Sequence, residues 1–299
     1  MDVPADYRCG QVAIVGRPNV GKSSLLNSLL GQKLSIISRR PQTTRWSLLG
    51  IKTAPGCQIL YVDTPGTPGR VPDSLNRHMH REVQNALEGV DVALHVIEAL
   101  RWTEDDTKVQ ERLRAARVPV LLLINKIDKL RERTLLLPFI ADMAARGEFA
   151  EVIPVSAKNG ENIQELESVV RKFLPKAPPA FPEEQLTDRS ERFLAAEMIR
   201  EKLMRKLGDE LPYRLSVTVD RFDESGRVTH IHATIWVESA GQKAIVIGHG
   251  GKLLKSVGEQ ARMDIQRMLD RPVYLRTWVK VRRGWTEDVK ALKLLGYSA

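Results

Sequence analysis

Cysteine is scarce: Cys9 and Cys57 are the only two in 299 residues, and no C-x-x-C occurs. That argues against a disulfide framework or a thiolate zinc site and favours a reducing compartment. Long apolar runs are missing too. The longest, VPVLLLI at 118–124, is far too short to cross a bilayer. The opening MDVPADYRCGQ carries two Asp and no apolar core, unlike a secretory leader. A cytoplasmic protein is expected, at most peripheral on the inner face of the cell membrane. Internal repeats and low-complexity tracts are absent. Beyond residue 184 there is neither a cysteine or carboxylate cluster nor a second lysine-bearing phosphate loop, which argues against a modification enzyme.

What is present is ordinary globular composition, 42% apolar and 28% charged, in a length that suits about two domains. The formal charge is +9, a balance that favours a polyanion partner, either nucleic acid or an acidic membrane surface. From about residue 10 to 174, continuous apolar strands alternate with helical patterns: VAIVG, QILYVD, DVALHVIEA, VPVLLLIN and EVIPVSA each precede a helix. This is the pattern of an α/β domain with a mainly parallel sheet covered on both faces. The stretch LPKAPPAFPEE at 174–184 holds four prolines and reads as a connection. Beyond it, elements follow in the order α-β-β-α-α-β, with Gly248-His249-Gly250-Gly251 between the second and third helices. The expected domains are 1–176, a Pro-rich linker at 177–184, and an α+β domain at 185–299.

The motifs of the first domain stand at strand ends. Gly16-x4-Gly21-Lys22-Ser23 follows a strand and opens a helix, where backbone N–H groups and the helix N-terminus can wrap a diphosphate. Lys22 would reach the β- and γ-phosphates and Ser23 a Mg²⁺ ion. Asp63-Thr64-Pro65-Gly66 closes the next apolar strand; its carboxylate suits Mg²⁺, and the Gly66 N–H suits a γ-phosphate. Asn125-Lys126-Ile127-Asp128 offers a carboxylate that pairs with guanine N1–H and N2–H₂, a donor pair adenine lacks. Asn125 would tie neighbouring loops together, and the Lys126 stem would lie along the base. Ser156-Ala157-Lys158 can present a backbone N–H to guanine O6.

These four motifs resemble those of translation-factor-class GTPases. The resemblance implies GTP/GDP and Mg²⁺ as ligands, held by Gly16, Asn19, Val20, Gly21, Lys22, Ser23, Ser24, Asp63, Gly66, Asn125, Lys126, Asp128, Ser156, Ala157 and Lys158, with Lys22, Thr44 and Gly66 acting on the reaction. Mg²⁺ falls to Ser23, Asp63 and a threonine of QTTR, 42–45; Thr44, directly before the Arg, is preferred to Thr43. After D-x-x-G stands Thr67, where Ras-like enzymes carry a water-orienting glutamine, so slow intrinsic hydrolysis is expected.

The second glycine loop lacks the Gly-Lys-Ser/Thr spacing. In its α-β-β-α-α-β context it resembles a type II KH domain, which clamps about four nucleotides of single-stranded RNA. Charge agrees: residues 239–299 hold twelve Lys/Arg against five Asp/Glu, whereas 181–238 hold nine against twelve. The implied RNA contacts are Ile247, Gly248, His249, Gly250, Gly251, Lys252, Lys255, Arg282 and Arg283. His230 and His232 are expected on a solvated sheet face and Trp236 and Trp278 in the core, while Trp285 is left open between core packing and base stacking. A GTPase domain followed by a type II KH domain resembles the Era family of bacterial ribosome-assembly GTPases. That implies the 3′ end of 16S rRNA and the 30S subunit as partners, a monomeric chain, and tighter RNA binding in the GTP state. The alternative is a regulatory GTPase whose basic C-terminal region meets anionic lipid.

Overall fold

The computed structural model describes residues 4–38, 40, 43–66, 73–147, 149–208, 211–288, 291, 292 and 295. It divides into two units: Met1–Ser35, Thr44–Thr67 and Met79–Asp188 form one, and Ile36–Thr43, Pro68–His78 and Arg189–Ala299 form the other.

The first unit is built on β1 (Arg8–Val15), α1 (Lys22–Leu30), β2 (Leu48–Ala54), β3 (Cys57–Asp63), the part of α2 (Asp73–Leu87) from Met79 on, β4 (Val92–Glu98), α3 (Glu104–Ala116), β5 (Val120–Asn125), α4 (Leu136–Arg146), β6 (Glu151–Pro154) and α5 (Ile163–Phe173). Its six-stranded sheet runs β2-β3-β1-β4-β5-β6. The apolar strands are buried nearly throughout, with Val12, Ala13, Ile14, Val96 and Leu121–Ile124 wholly inaccessible. That is why their sequences read as continuous runs rather than alternations. All pairs are parallel except β2 with β3. The antiparallel strand β2, joined to β3 by the Pro55-Gly56 turn, is absent from the periodicity reading. As an edge strand its LLGIKTA sequence mixes buried and half-buried positions. Because β1, β3, β4, β5 and β6 are parallel, their carboxyl ends share one edge of the sheet. There a parallel α/β fold collects its ligands.

The proline-rich stretch is fastened to this unit. Lys176 pairs with Arg8, the Ala177 N–H donates to Tyr7 O, and the Gln58 side chain accepts from the Ala180 and Phe181 N–H groups. Ala177 and Phe181 cover the cluster of Cys9, Ile51 and Leu60.

The second unit contains α6 (Glu191–Lys206), β7 (Ser216–Asp223), β8 (Thr229–Val237), α7 (Ala240–Ile247), α8 (Lys252–Leu269) and β9 (Val273–Val281). The element order is the one expected from the sequence. Ser190 starts α6 by accepting the Phe193 N–H, a serine cap of the usual kind. The sheet runs β7-β8-β9, antiparallel then parallel. Alternate strand residues such as Val217, Ile231, Ala233, Ile235 and Val279 join Ile199, Leu203, Val257, Ala261 and Ile265 of the helices in one core. Among the described residues no helix is seen to pack on the other sheet face. Within this unit the backbones of Ile37 and Thr43 are bound to α6: Ile37 N–H donates to Glu201, Ile37 O accepts from Arg205, and Thr43 O accepts from Arg200.

The tryptophans overturn the sequence expectation. Trp285, left undecided by the sequence, is fully buried. Trp236 and Trp278, expected in the core, are half-buried and share the face of β8 and β9 away from the helices. An indole combines a large apolar area with one N–H donor, so local sequence alone does not decide its side. Here the strand parity does.

Candidate functional site

The carboxyl edge of the first sheet brings the four predicted motifs together. β1 ends in the loop Gly16–Gly21, and α1 begins at Lys22. The loop's tightness demands glycine twice. A side chain at Gly16 would meet Val96 O at 2.4 Å, and one at Gly21 would meet Asn125 Nδ2 at 2.3 Å; both backbones have φ values of +151° and +106°. Asn19 also adopts a left-handed conformation, so the loop folds around its own N–H groups as an anion-binding concavity does. Lys22 is buried, and its Nζ lies 2.7 Å from Gly16 O and 3.0 Å from Arg17 O. Burial lowers its pKa to about 8, with the Asp63 charge opposing. A polyphosphate at the loop would favour the charged form.

Three oxygen-bearing side chains gather beside it. Ser23 Oγ donates to Asp63 Oδ2 at 2.8 Å and lies 2.9 Å from Thr44 Oγ1. Asp63 is fully buried, and its Oδ1 has no hydrogen-bond partner. Burial raises its pKa, against the Lys22 charge and hydrogen bonds from Ser23 and Ser35. An all-oxygen set with an unspent buried carboxylate oxygen fits a hard divalent cation such as Mg²⁺. Thr43 points elsewhere: its Oγ1 bonds Ser38 Oγ and Arg40 O. Ser35, whose Oγ donates to Asp63 at 3.0 Å, is a member the sequence reading missed. It is placed by Asn27, whose side chain accepts the Leu34 and Ser35 N–H groups and donates to Ser35 O. No short-range pattern marks such a bond.

The base-side motifs are knitted to the loop. Asn125 Nδ2 donates to Val20 O at 2.8 Å, and its Oδ1 accepts the Ala157 N–H at 3.1 Å. One side chain therefore locks the phosphate loop to the last loop, as expected. Lys126 Nζ bonds Asn19 O at 2.5 Å and Glu98 at 3.0 Å. Ser156 Oγ donates to Asp128 Oδ1 at 2.7 Å, which aims the carboxylate. Glu98, also unforeseen, accepts from Arg17 at 3.4 Å as well. Burial pushes its pKa up, but the Lys126 hydrogen bond and nearby lysine charges hold it below the usual carboxylate range. Gly66 follows β3 in the same edge, where a side chain would press on Pro18 at 3.0 Å. Ser24 lies in the first turn of α1 and Lys158 just after Ala157. Thr67 lies outside the described residues.

In the second unit, α7 ends at Ile247, and the Gly248–Gly251 loop leads into α8. A groove of about 420 Å³ opens from Gly251 between Leu254, Lys255 and Arg262 of α8 and Leu275 and Thr277 of β9. His249, Gly250 and Lys252 are exposed at its glycine end. Arg282 and Arg283 do not line this groove: they follow β9, and Arg282 lies 3.7 Å from Asp288. Leu275 and Thr277 are groove residues that the sequence reading missed; they are visible only once β9 is paired beside α8.

Comparison with known proteins finds relatives of both units. A family model described as 50S ribosome-binding GTPase matches residues 11–126, and a KH domain model matches 210–286. The chain is 51% identical over 296 residues to the GTPase Era of Pseudomonas aeruginosa, covering 99% of this chain and 97% of that one. It is 52% identical over 293 residues to the GTPase Era of Marinobacter nauticus, covering 98% and 96%. A crystal structure of Era in complex with MgGDPNP and nucleotides 1506–1542 of 16S ribosomal RNA superimposes with a TM-score of 0.93 at 38% identity, covering 98% of this chain and all of that one. An Aquifex aeolicus Era variant bound to GDP and AlF4⁻ gives 0.92, also at 38% identity.

Proposed function

This chain belongs to the Era family of GTPases, and on that premise we propose that it is a slow, Mg²⁺-dependent GTP switch that binds the 3′ end of 16S rRNA and assists assembly of the 30S subunit. The observation that carries the nucleotide half is the Asn125 bridge. It holds the phosphate loop and the Ala157 N–H at fixed distances, so a base and its phosphates are bound as one rigid ligand.

In this reading Asp128 pairs with guanine N1–H and N2–H₂, the Ala157 N–H meets O6, and the loop amides with Lys22 hold the β- and γ-phosphates. Ser23, Thr44 and Asp63 would hold Mg²⁺, which supplies charge neutralisation at the γ-phosphate. Lys22 and the Gly66 N–H stabilise charge on the transferred group through preorganised donors. With threonine at 67 no long side chain orients water as glutamine does, which suits a slow timer. Replacing Thr44 with Ala is expected to weaken the Mg²⁺ dependence of GTP-analogue binding and to lower turnover by at least about tenfold, whereas Thr43→Ala leaves turnover near wild type. Single-turnover hydrolysis across a Mg²⁺ titration checks this; equal effects would reassign the ligand.

The RNA half rests on the groove beside Gly251, on the excess of Lys/Arg in 239–299 and on the rRNA bound by the structural relative. A KH groove takes about four nucleotides, so an rRNA 3′ end runs on past it. Ile37 and Thr43 are bonded to α6, and Thr43 leads directly into Thr44, which offers a covalent route from nucleotide state to the KH unit. Binding of a labelled 16S 3′-end RNA is expected to be clearly tighter with a non-hydrolysable GTP analogue than with GDP at fixed salt. Equal binding removes the switch. No RNA binding together with salt-sensitive liposome binding would favour the lipid reading, although among the described residues no helix is long and apolar enough to cross a membrane.

A further inference from the structure

The uncovered face of the KH sheet carries an unusual set of side chains. Paired across the strands are Thr218, Thr234 and Trp278; Arg221, His232 and Arg276; Asp223, His230 and Tyr274; and Trp236 beside Lys280. Not one is aliphatic. Arg276 lies over the Trp278 ring, its Cζ 4.9 Å from the centroid, and Lys280 Nζ lies 5.7 Å from that of Trp236. His232 meets Trp278 edge-on at 5.2 Å, and His230 stands 5.3 Å from Tyr274. The aspartates of this face are engaged: Asp220 accepts from Thr234, and Asp223 from Arg221 and Ser225. Among the described residues neither Arg276 nor Lys280 has a carboxylate partner, and both are exposed, as is Tyr274 at 48%. Exposed cations over half-covered rings suit a polyanion with flat faces.

The position of β9 points to which one. It is the edge strand of its sheet, and successive residues of a strand face opposite ways. Leu275 and Thr277 line the groove, while Tyr274, Arg276, Trp278 and Lys280 belong to the outer face. The two surfaces therefore meet along one strand, a few ångströms apart.

We propose that the outer sheet face is a second RNA-binding surface, on which single-stranded nucleotides leaving the groove over the β9 edge stack on Tyr274 and the indoles while Arg276 and Lys280 take their phosphates. The proposal rests on the RNA reading above and extends it from the groove to the face behind it. Aromatic sheet faces stack bases because every base offers a π surface, and cations beside them follow the backbone. An acidic protein segment is the rival occupant. Continuity with the groove favours RNA.

The test uses the full chain with the GTP analogue and two RNAs that share one groove sequence, one of about four nucleotides, the length a KH groove holds, and one several times longer. Tyr274→Ala, and separately the pair Arg276→Ala with Lys280→Ala, are expected to weaken the longer RNA on the order of tenfold and leave the short one unchanged. The charge pair should also reduce the salt slope of the longer RNA by about 1.4, roughly 0.7 for each phosphate contact to a single strand. Lys280→Arg is expected to preserve both affinity and slope. Unchanged binding of the longer RNA overturns the proposal, as does equal weakening of both RNAs, which would mean a disturbed groove. Unchanged RNA binding with weaker binding to small ribosomal subunits would assign the face to a protein instead. If the wild-type chain binds neither RNA, the failure belongs to the RNA reading itself.

Discussion

Replacing Asp128 with Asn should convert the nucleotide preference from guanine to xanthine. Asp128 Oδ1 already accepts from Ser156 Oγ at 2.7 Å, and an amide oxygen can accept that bond equally, so the fold of the loop should survive. Guanine presents two donors, N1–H and N2–H₂. A carboxylate accepts both, whereas an amide sets its own NH₂ against the N2 amine and leaves two donors unpaired. Buried unpaired donors together with the loss of charge-assisted bonds should weaken GTP binding about a thousandfold or more. Xanthine carries a carbonyl at C2, which accepts the amide donor while the amide oxygen takes N1–H. Competition of GTP and XTP against a fluorescent nucleotide measures the switch. If GTP affinity stays within a factor of a few, Asp128 does not read the base edge.

The second large effect concerns the KH loop, where the glycines are not equivalent. Gly250 has φ +58° and open space on the side where a Cβ would stand; Gly248 has φ +73°, and a Cβ there would lie 2.7 Å from that of Leu253. Gly250→Asp should therefore fold, at a local backbone cost of about 1–2 kcal/mol, while placing a carboxylate where a phosphate backbone approaches. Like charges set face to face cost several kcal/mol, so RNA affinity should fall on the order of a hundredfold. GTP binding and hydrolysis should be untouched. Gly248→Ala, in contrast, should lower the thermal stability of the KH unit, because it presses on the first turn of α8. RNA titrations beside thermal unfolding separate the two variants. Full RNA affinity in Gly250→Asp would remove the glycine loop from the interface.

How much of the site was legible differs residue by residue. Gly16, Gly21, Lys22, Ser23, Asp63, Asn125 and Asp128 could be read because each role is local: a turn that needs glycine, a lysine one step into a helix, a carboxylate at a strand end. Thr44 over Thr43 was a preference from its neighbour Arg45, and the distances to Ser23 now favour it. Ser35 and Glu98 were invisible, since each acts across the sheet edge on a partner 28 residues away.

The sequence by itself determined the two-module plan, the parallel sheet, and the order of its ligand-bearing loops. These follow from short-range periodicity and from motifs whose chemistry is set by neighbours in the chain. Only the tertiary structure decided the antiparallel edge strand β2, the burial of Trp285, the placement of Trp236 and Trp278 half-buried on one sheet face, and the groove formed where β9 meets α8. The groove and the side of the two indoles depend on the pairing of β8 with β9, segments far apart in the chain, and a one-residue change of that register would turn those side chains to the other face.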